Sequence, residues 1–229
     1  MNLRYETKRL ILAAGNDSMA GAVADYLTRN REDFSRYDVE MSDEYYTADY
    51  QARALKAELH LLLRSAGCRF YLFLKKPSDD IRLSELRASA GIDSFSGTDT
   101  FGASRQKEEL YNKYASELSR ISLDKRRIIG NISFAYLNGE DGHQCTLGYK
   151  IDSDYRRRGY AYEAASFLLD IVTSEFSGIN LIEADILPEN RASLALIKKL
   201  KFEYTGLKRS GHNIAGMDRD NLKFAWIRS

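Results

Sequence analysis

The sequence predicts a mixed α/β (α+β) fold in which about seven strands form one central sheet flanked by helices. Strand patterns and helix patterns alternate along most of the 229 residues, and 44% of the residues are hydrophobic, which is enough to bury the core of one large domain. The 34 basic and 33 acidic residues leave a net charge of +1, which gives no electrostatic argument for a nucleic-acid or membrane partner. We therefore expect a single domain spanning residues 1–229.

Composition excludes several other classes of protein. Two prolines and 15 glycines are too few for a collagen-like or low-complexity chain. The longest apolar runs, such as residues 61–63, are too short to cross a bilayer, and the first residues lack the apolar core of a signal peptide. Cys68 and Cys145 are too few for a disulfide framework, and with three histidines they indicate no metal site. We expect a soluble, cytoplasmic protein that binds no metal and is a monomer or a homodimer.

The N-terminal part of the chain predicts the order strand, helix, helix, strand. Residues 3–13 are expected to form the opening strand. Asn16 offers an N-cap for the first helix. The apolar spacing after Thr47 predicts a second helix, for which Gly67 is a natural C-cap. Residues 69–75 then predict a buried strand.

The C-terminal half continues the alternation. Strands at residues 127–137 and 144–151 flank a glycine-containing turn, which predicts a hairpin. Residues 159–176 predict the strongest helix, because their apolar side chains fall on one face. The remaining predicted elements are a strand, a short helix and two closing strands, at residues 179–187, 192–200, 202–208 and 222–227.

Residues 78–124 interrupt this alternation. They are largely polar, and residues 91–103 are rich in Gly, Ser, Thr and Asp, which indicates a loop. A helix is predicted at residues 104–122. A polar excursion of this length is typical of a lid, an interface element or a mobile loop, and we interpret it as an insertion within the single domain.

The segment between the strand at residues 144–151 and the strongest helix indicates chemistry. Its sequence RRRGYA fits the pattern Gln/Arg-x-x-Gly-x-Gly/Ala. A strand-to-helix loop leaves several backbone N–H groups without partners, and with the helix dipole they form an anion cradle suited to a pyrophosphate. Gly159 would let a phosphate approach the backbone closely. The candidate binding residues are Arg156, Arg157, Arg158, Gly159, Tyr160 and Ala161.

Two other interpretations of this segment stay open. The three arginines could form an exposed basic corner, with Gly159 merely starting a turn. Arginines interleaved with Tyr155, Tyr160 and Tyr162 are also found in nucleic-acid sites, although the balanced charge of the chain disfavours such a partner. Further along, Asn190 in the run PENRAS could cap the short helix or hydrogen-bond a ligand that contains amide groups.

Taken together, these motifs resemble the GNAT N-acetyltransferase superfamily, and within it the RimJ and RimL branch of ribosomal-protein N-terminal acetyltransferases. Residues 6–10 (ETKRL) are similar to the E-T-x-R-L start of that branch. Residues 147–164 are similar to its L-G-Y-x-I-D and G-Y-A-x-E-A signature, and residues 182–202 follow a pattern that begins I-E-A-x-I-x-P-x-N-x-x-S and ends at an aromatic residue, here Phe202. The resemblance covers everything except residues 78–124. It implies the GNAT acyl-CoA N-acyltransferase fold, with acetyl-CoA as the donor substrate and an amine as the acceptor.

The resemblance also implies roles for individual residues around the acetyl donor. The backbone of residues 156–161 would hold the pyrophosphate. The strand containing Tyr149 and Ile151 would pair with the pantetheine arm, and its N–H groups would polarise the thioester carbonyl. Asn190 would also bind the donor.

The catalytic residues are less well defined by the resemblance. Many family members have a proton-donating tyrosine seven residues after the asparagine, but Ile197 is at that position here. The chain is more similar to the RimL type, in which Ser193 would be the proton donor. Asp185 and His212 are the candidate bases. The alternatives are a first-turn helix residue for Ser193, a strand residue with local hydrogen bonds for Asp185, and an exposed loop residue for His212.

The acceptor is left open by departures from the branch. Asp218 and Asn221 replace a tryptophan and a histidine of the branch, and Lys201 replaces a glycine that would favour a left-handed backbone. Carboxylates and tyrosines in residues 37–46 would attract a cationic amine, or else form a solvated loop. We expect acetylation of a primary amine, first of all a protein or peptide N-terminus. The alternatives are a small amine (a polyamine, aminoglycoside or amino acid) and a catalytically degenerate acyl-CoA-binding module.

Overall fold

The computed structural model describes the chain over residues 1–76, 123, 125–137, 144–214 and 217–228. The predicted insertion, residues 78–124, lies outside these ranges except for Leu123. The turn of the predicted hairpin, residues 138–142, also lies outside them. No helix among the described residues is long and apolar enough to pass through a bilayer.

The described part of the chain folds around one mixed sheet of eight strands, which confirms the predicted fold class. The strands are β1 (Arg4–Glu6), β2 (Leu10–Ala14), β3 (Gly67–Leu74), β4 (Gly130–Ala135), β5 (Cys145–Ile151), β6 (Leu181–Ile186), β7 (Glu203–Ile214) and β8 (Met217–Ile227). Their order in the sheet is β1-β2-β3-β4-β5-β6-β8-β7. Neighbouring strands are antiparallel, except that β5 and β6 run parallel.

Helices cover both faces of this sheet. They are α1 (Ala20–Arg29), α2 (Arg31–Ser35), α3 (Ala48–Leu63), α4 (Tyr160–Glu175) and α5 (Arg191–Lys199). Because successive side chains of a strand point to opposite faces, Phe70 and Leu72 of β3 join the core shared with α4 and α5. Tyr71 and Phe73 join the second core, under α1 and α3. The sheet therefore separates an α4/α5 face from an α1/α3 face.

Two predicted helix starts are confirmed by their capping bonds. Asn16 Oδ1 accepts the Ser18 N–H at 3.0 Å, ahead of a 3₁₀ turn that leads into α1. Thr47 Oγ1 accepts the Tyr50 N–H at 3.3 Å and begins α3. These bonds satisfy N–H groups that have no partner inside the helix.

The predicted opening strand at residues 3–13 is wrong in one respect, because it is two strands. β1 and β2 form an antiparallel hairpin in which Glu6 lies opposite Ile11. Thr7 turns the chain: its N–H donates to the Leu10 carbonyl at 3.0 Å, and its hydroxyl accepts the Leu10 N–H at 3.2 Å. A threonine hydroxyl that bonds the local backbone competes with a continuing strand ladder.

Gly67 was expected as the C-cap of the second helix, and this prediction is also wrong. The left-handed residue after α3 is Ser65, with φ of 57°, and Gly67 is the first residue of β3. A Cβ atom on Gly67 would approach the Phe134 carbonyl oxygen to 3.2 Å. The missing side chain therefore allows β3 and β4 to pair closely.

The closing strands are longer than the sequence pattern indicated. β7 and β8 form an antiparallel hairpin that extends to the pair Ile214 and Met217, well beyond the predicted limits. The outer part is rich in polar residues, such as Asp218, Arg219 and Asp220, so apolar alternation does not mark it. Lys201, just before β7, has a left-handed φ of 63°, which is the conformation that a glycine at this position would favour.

Candidate active site

The site begins where β5 and β6 separate. These parallel strands pair only through Cys145 with Ile182 and Thr146 with Glu183. Beyond these pairs β5 stays hydrogen-bonded to β4 as far as Ile151, and β6 stays bonded to β8. The facing edges of β5 and β6 thus enclose an open wedge, which we call the splay. Backbone N–H and C=O groups on these edges need partners, and an extended ligand could supply them.

The loop after β5 leaves a row of backbone donors open. Among the described residues, the six consecutive N–H groups from Arg157 to Tyr162 donate to no protein acceptor, whereas the Glu163 N–H donates to the Gly159 carbonyl at 3.0 Å. Gly159 has a left-handed φ of 81°, and so does Arg157, at 58°. Residues other than glycine are uncommon in this region, and such strain clusters at functional sites. We call residues 156–161 the cradle loop; its donors and the α4 dipole favour a bound anion.

A buried carboxylate anchors the start of this segment. Asp152 accepts hydrogen bonds from Arg29 Nε at 2.8 Å, from Arg127 Nη2 at 3.1 Å and from the Asp154 N–H at 3.1 Å. Burial alone would raise the pKa of Asp152, but the hydrogen bonds from Arg29, Asp154 and Arg127 lower it below its usual value. Asn30, also buried, accepts the Ser153 N–H at 2.9 Å. The segment from β5 to the cradle loop is therefore held by α1.

The three arginines of the cradle loop differ in their surroundings. The Arg156 side chain turns back to the protein, donating to the Ile151 carbonyl at 3.3 Å and lying 3.5 Å from Asp33 Oδ1. Arg157 and Arg158 are exposed. Ile151, expected to bind the donor, thus has its carbonyl oxygen bonded to Arg156.

The tyrosines that suggested a nucleic-acid site each have a cation of the protein over the ring. Arg127 and Arg158 lie 5.1 and 5.4 Å from the centroid of Tyr155. Arg9 lies 4.5 Å from the centroid of Tyr160. The third ring, Tyr162, has the Lys199 ammonium at 4.1 Å. Contacts within the protein thus account for this cluster of cations and tyrosines, and no bound base is needed to explain it.

The structure joins three of the candidate residues at the start of α5. Asn190 Oδ1 accepts the Ser193 N–H at 3.1 Å and caps the helix, as one of its two predicted roles required. The Tyr149 hydroxyl donates to the Ser193 carbonyl at 3.2 Å. Burial raises the pKa of Tyr149 to about 12, although the bond with Ser193 lowers it slightly. In the described part of the chain the Ser193 hydroxyl has no protein partner, so it is free to meet a ligand.

Asp185 lies on the other face of the sheet. Its neighbours Ala184 and Ile186 are buried in the core under α4 and α5, so the Asp185 side chain points towards the α1/α3 face. One carboxylate oxygen lies 2.8 Å from Lys208 Nζ, and the other is buried without a partner among the described residues. Ser193 and Asp185 therefore lie on opposite faces of the sheet.

His212 is further from this group of residues. It lies on β7 opposite Arg219 of β8, beyond Lys208 on the way to the tip of the hairpin. The alternative of a loop residue is therefore wrong for its backbone. Ile197, at the position of the tyrosine of other members, is fully buried and takes no part in the site.

The acidic segment before α3 is partly neutralised by arginines. Asp43 lies 2.7 Å from Arg31, and Glu44 lies 2.6 Å from Arg53. Tyr45 lines a cavity of about 40 Å³ on the α1/α3 face, together with Val23, Leu27, Gln51, Arg69, Tyr71, Asn131 and Lys150. That volume holds a few water molecules at most. No three His, Cys, Asp or Glu side chains in the described ranges could together hold a metal ion.

Sequence reasoning missed the residues that support the cradle loop. Thr7 and Arg9 bond Glu163 in the first turn of α4, and Arg29 bonds Asp152. The only signal for the first pair was that residues 6–10 and Glu163 both belong to the motifs that resemble the family. Neither pairing is visible in local periodicity, because each joins residues more than 120 positions apart.

Comparisons with known proteins agree with this geometry. A family model described as an acetyltransferase (GNAT) domain matches residues 84–203. The chain is 29% identical over 114 residues to the uncharacterized N-acetyltransferase p20 of Bacillus licheniformis, which covers 50% of this chain and 63% of that relative. It is also 29% identical over 99 residues to the ribosomal protein uS5-alanine N-acetyltransferase of Escherichia coli (strain K12), covering 43% of this chain and 50% of that protein. The matched part thus spans 50–63% of the length of these relatives.

Solved structures share the whole fold. The ribosomal-protein-S5-alanine acetyltransferase from Vibrio fischeri superposes with a TM-score of 0.71 at 17% identity, over 99% of this chain and 97% of that one. A RimL ribosomal L7/L12 alpha-N-protein acetyltransferase in complex with coenzyme A gives 0.65 at 14% identity, over 96% and 95%. These likenesses concern the fold. Because the family model matches more than half of the 229 residues, the chain belongs to the GNAT acetyltransferase family.

Proposed function

We propose that the protein is an N-acetyltransferase that transfers the acetyl group of acetyl-CoA directly to a primary amine. We further propose that the amine is the N-terminus of a protein or peptide. The observation that supports the transferase most is the row of open N–H groups from Arg157 to Tyr162 beside the splay. The names of the relatives, which include a ribosomal protein uS5-alanine N-acetyltransferase, favour the N-terminal acceptor.

The open groups of the chain fit acetyl-CoA part by part. A diphosphate needs several donors that converge on one exposed point, and the cradle loop offers them at the positive end of a 16-residue helix. The pantetheine arm contains amides, which can pair with the open edge of β5 as an added strand would. Tyr149 and Asn190 lie at this edge and at the start of α5, respectively.

Acetyl-CoA would supply an activated acyl group, and this chain would supply position, polarisation and proton transfer. The N–H groups on the open edge of β5 would bond the thioester carbonyl and stabilise negative charge on its oxygen. Ser193, whose hydroxyl is free, is the proposed proton donor to the leaving thiolate. Asp185, on the opposite side of the splay, is the first candidate to take the proton of the amine, and His212 is the second.

Binding of the donor is tested by calorimetric titration with acetyl-CoA. We expect micromolar binding by the parent protein and its loss in Gly159→Glu, because a side chain at this left-handed position (φ of 81°) would strain the cradle loop and place a carboxylate beside it. Gly178→Glu is the matched control, since Gly178 is exposed and an added Cβ would meet no atom within 4 Å. A folded parent protein that does not bind acetyl-CoA would refute the transferase.

The acceptor is tested separately, with a panel of amines. Peptides that begin with alanine or serine are compared with polyamines, aminoglycosides and free amino acids, and released thiol is measured. Faster transfer to the peptides supports the proposed acceptor, whereas faster transfer to a small amine assigns the second substrate class. Tight binding of acetyl-CoA without transfer to any amine would indicate an acyl-CoA-binding module.

We also propose a cytoplasmic location. Cys68 and Cys145 are both free and buried, and unpaired thiols are typical of proteins kept in a reducing compartment. An amine acceptor on newly made proteins would be available there. Fractionation of cells that express the tagged full chain tests this location.

A further inference from the structure

The turn between β1 and β2 is fastened to the first turn of α4. Glu163 accepts three hydrogen bonds there: from the Thr7 hydroxyl at 2.6 Å, from the Arg9 N–H at 2.8 Å and from Arg9 Nε at 2.6 Å. Arg9 then continues to the cradle loop, where Nη1 donates to the Arg158 carbonyl at 2.9 Å. We call Thr7, Arg9 and Glu163 the Arg9 clamp.

The clamp is built around a protected carboxylate. The Glu163 side chain is 17% exposed. Burial alone would raise its pKa, but the bonds from Thr7 and Arg9 lower it below the usual value. A carboxylate that accepts three donors holds the guanidinium of Arg9 in one orientation, because Nε and the backbone N–H of the same residue are both fixed.

The bond to the Arg158 carbonyl has a direct consequence for the cradle loop. In a trans peptide the C=O and N–H bonds point in opposite directions, and the chain contains no cis peptide among its described residues. Because Arg9 holds the Arg158 oxygen on its own side, the Gly159 N–H points to the other side. This N–H belongs to the row of open donors, so Arg9 sets the direction of a donor it does not touch.

Arg9 also fills the space behind Gly159. A Cβ atom on that glycine would lie 3.3 Å from Arg9 Nη2, and the guanidinium stacks on the ring of Tyr160. The side chain is nevertheless 43% exposed, and the hairpin has its own ladder and the buried strand Leu10–Ala14. Arg9 is therefore not required to bury a core, and its contacts converge on the cradle loop.

We propose that Arg9 is a positioning residue for the diphosphate of the acetyl donor, acting through the Arg158–Gly159 peptide and held in place by Glu163 and Thr7. This proposal rests on the function proposed above. It means that the β1–β2 turn orients backbone N–H groups of the cradle loop towards the diphosphate of acetyl-CoA.

Three ligands and four variants test the proposal. Acetyl-CoA and dephospho-CoA both contain the diphosphate, whereas acetylpantetheine lacks it. Dissociation constants are measured by calorimetry, and that of the weakly binding acetylpantetheine by competition. We expect Arg9→Ala to weaken the binding of acetyl-CoA and of dephospho-CoA roughly tenfold each. The affinity for acetylpantetheine should stay unchanged. Arg9→Lys should recover only part of the loss, because a single nitrogen would have to reach both Glu163 and the Arg158 carbonyl, which two different nitrogens of the guanidinium bond here. Arg36→Ala is the control, since Arg36 has an exposed ion pair with Glu32 on α2.

Each result distinguishes positioning by Arg9 from no effect, from a general effect on binding and from an effect of charge alone. Full affinity in Arg9→Ala, or an equal loss for acetylpantetheine, overturns the proposal, because the effect would be absent or general. Full rescue by Arg9→Lys also overturns it, since a charge alone would then suffice. If Arg9→Ala does not fold, Glu163→Gln gives the test, with a smaller loss expected for the same two ligands. Failure of the parent protein to bind acetyl-CoA would refute the proposed function instead, which is a separate result.

Discussion

The Tyr149 hydroxyl donates a hydrogen bond to the Ser193 carbonyl at 3.2 Å, and this bond joins β5 to the first turn of α5 across the open end of the splay. The carbonyl of Ser193 is thereby fixed, while its hydroxyl stays without a protein partner in the described part of the chain. A residue whose backbone is held and whose side chain is free is well suited to act on a ligand in the splay.

Ser193→Ala is expected to lower kcat by about a hundredfold, because general acid catalysis contributes roughly that much, and to leave the affinity for acetyl-CoA unchanged. Single-turnover kinetics and calorimetry measure the two quantities. Ser174→Ala is the matched control, because Ser174 bonds only a carbonyl of its own helix. An unchanged kcat would assign Ser193 to the helix cap alone.

Asp185→Asn tests the candidate base. We expect kcat to fall by about a hundredfold, because an amide cannot take a proton from the attacking ammonium, while acetyl-CoA still binds. Glu183→Gln is the control: Glu183 lies on the same strand and face and has a similar ion pair, with Lys223 at 3.0 Å. Equal small effects of both changes would mean that Asp185 serves only its bond with Lys208.

Asp152→Asn is expected to destabilise the protein by about 3 kcal/mol, because the buried carboxylate is the acceptor that joins the half-buried Arg29 to Arg127 and to the Asp154 N–H. The Asp152 pKa is lowered on folding, so its stabilisation is complete above the unfolded-state pKa of about 4 and is lost as the pH falls towards the lower pKa of the folded state. Urea unfolding between pH 3 and pH 7 measures this. The difference between parent and variant should shrink at the acid end; a constant difference would contradict the assignment.

Lys201→Gly is expected to stabilise the protein by about 1 kcal/mol, because Lys201 holds a left-handed φ of 63° that glycine adopts without steric penalty. Thermal and urea unfolding measure the change. Lys198→Gly, inside α5, should destabilise by a similar amount. A loss of stability in Lys201→Gly would show that the lysine side chain makes a compensating contribution.

The sequence predicted most of the fold because its elements have local signatures. Apolar spacing marked α3 and α4, and the capping residues Asn16 and Thr47 marked two starts correctly. The failures have physical causes. Thr7 splits the opening strand through side-chain bonds that do not alter the apolar pattern, and the outer part of the β7–β8 hairpin is too polar to show alternation.

The site was predictable only in its local part. The cradle loop is one continuous run, and Asn190 and Ser193 are close in sequence, so a motif could identify them. The bond from Arg9 to Glu163 spans 154 positions, and the separation of Ser193 from Asp185 by the sheet depends on strand register. Such relations arise only from tertiary packing, which a single sequence does not encode in any local period.

The short pairing of β5 with β6 makes this sheet incomplete in a way that a ligand can repair. Two residue pairs hold the strands together at one end, so the halves β1–β5 and β6–β8 are joined there like the arms of a hinge. The extended pantetheine arm of acetyl-CoA, lying along β5 beyond its pairs with β6, would act as a ninth strand. Amide hydrogens of β5 should then exchange more slowly when acetyl-CoA is bound, whereas those of residues 70–72 in β3, which pair with both β2 and β4, should not change. The acetyl donor would in that sense be part of the folded sheet while it reacts.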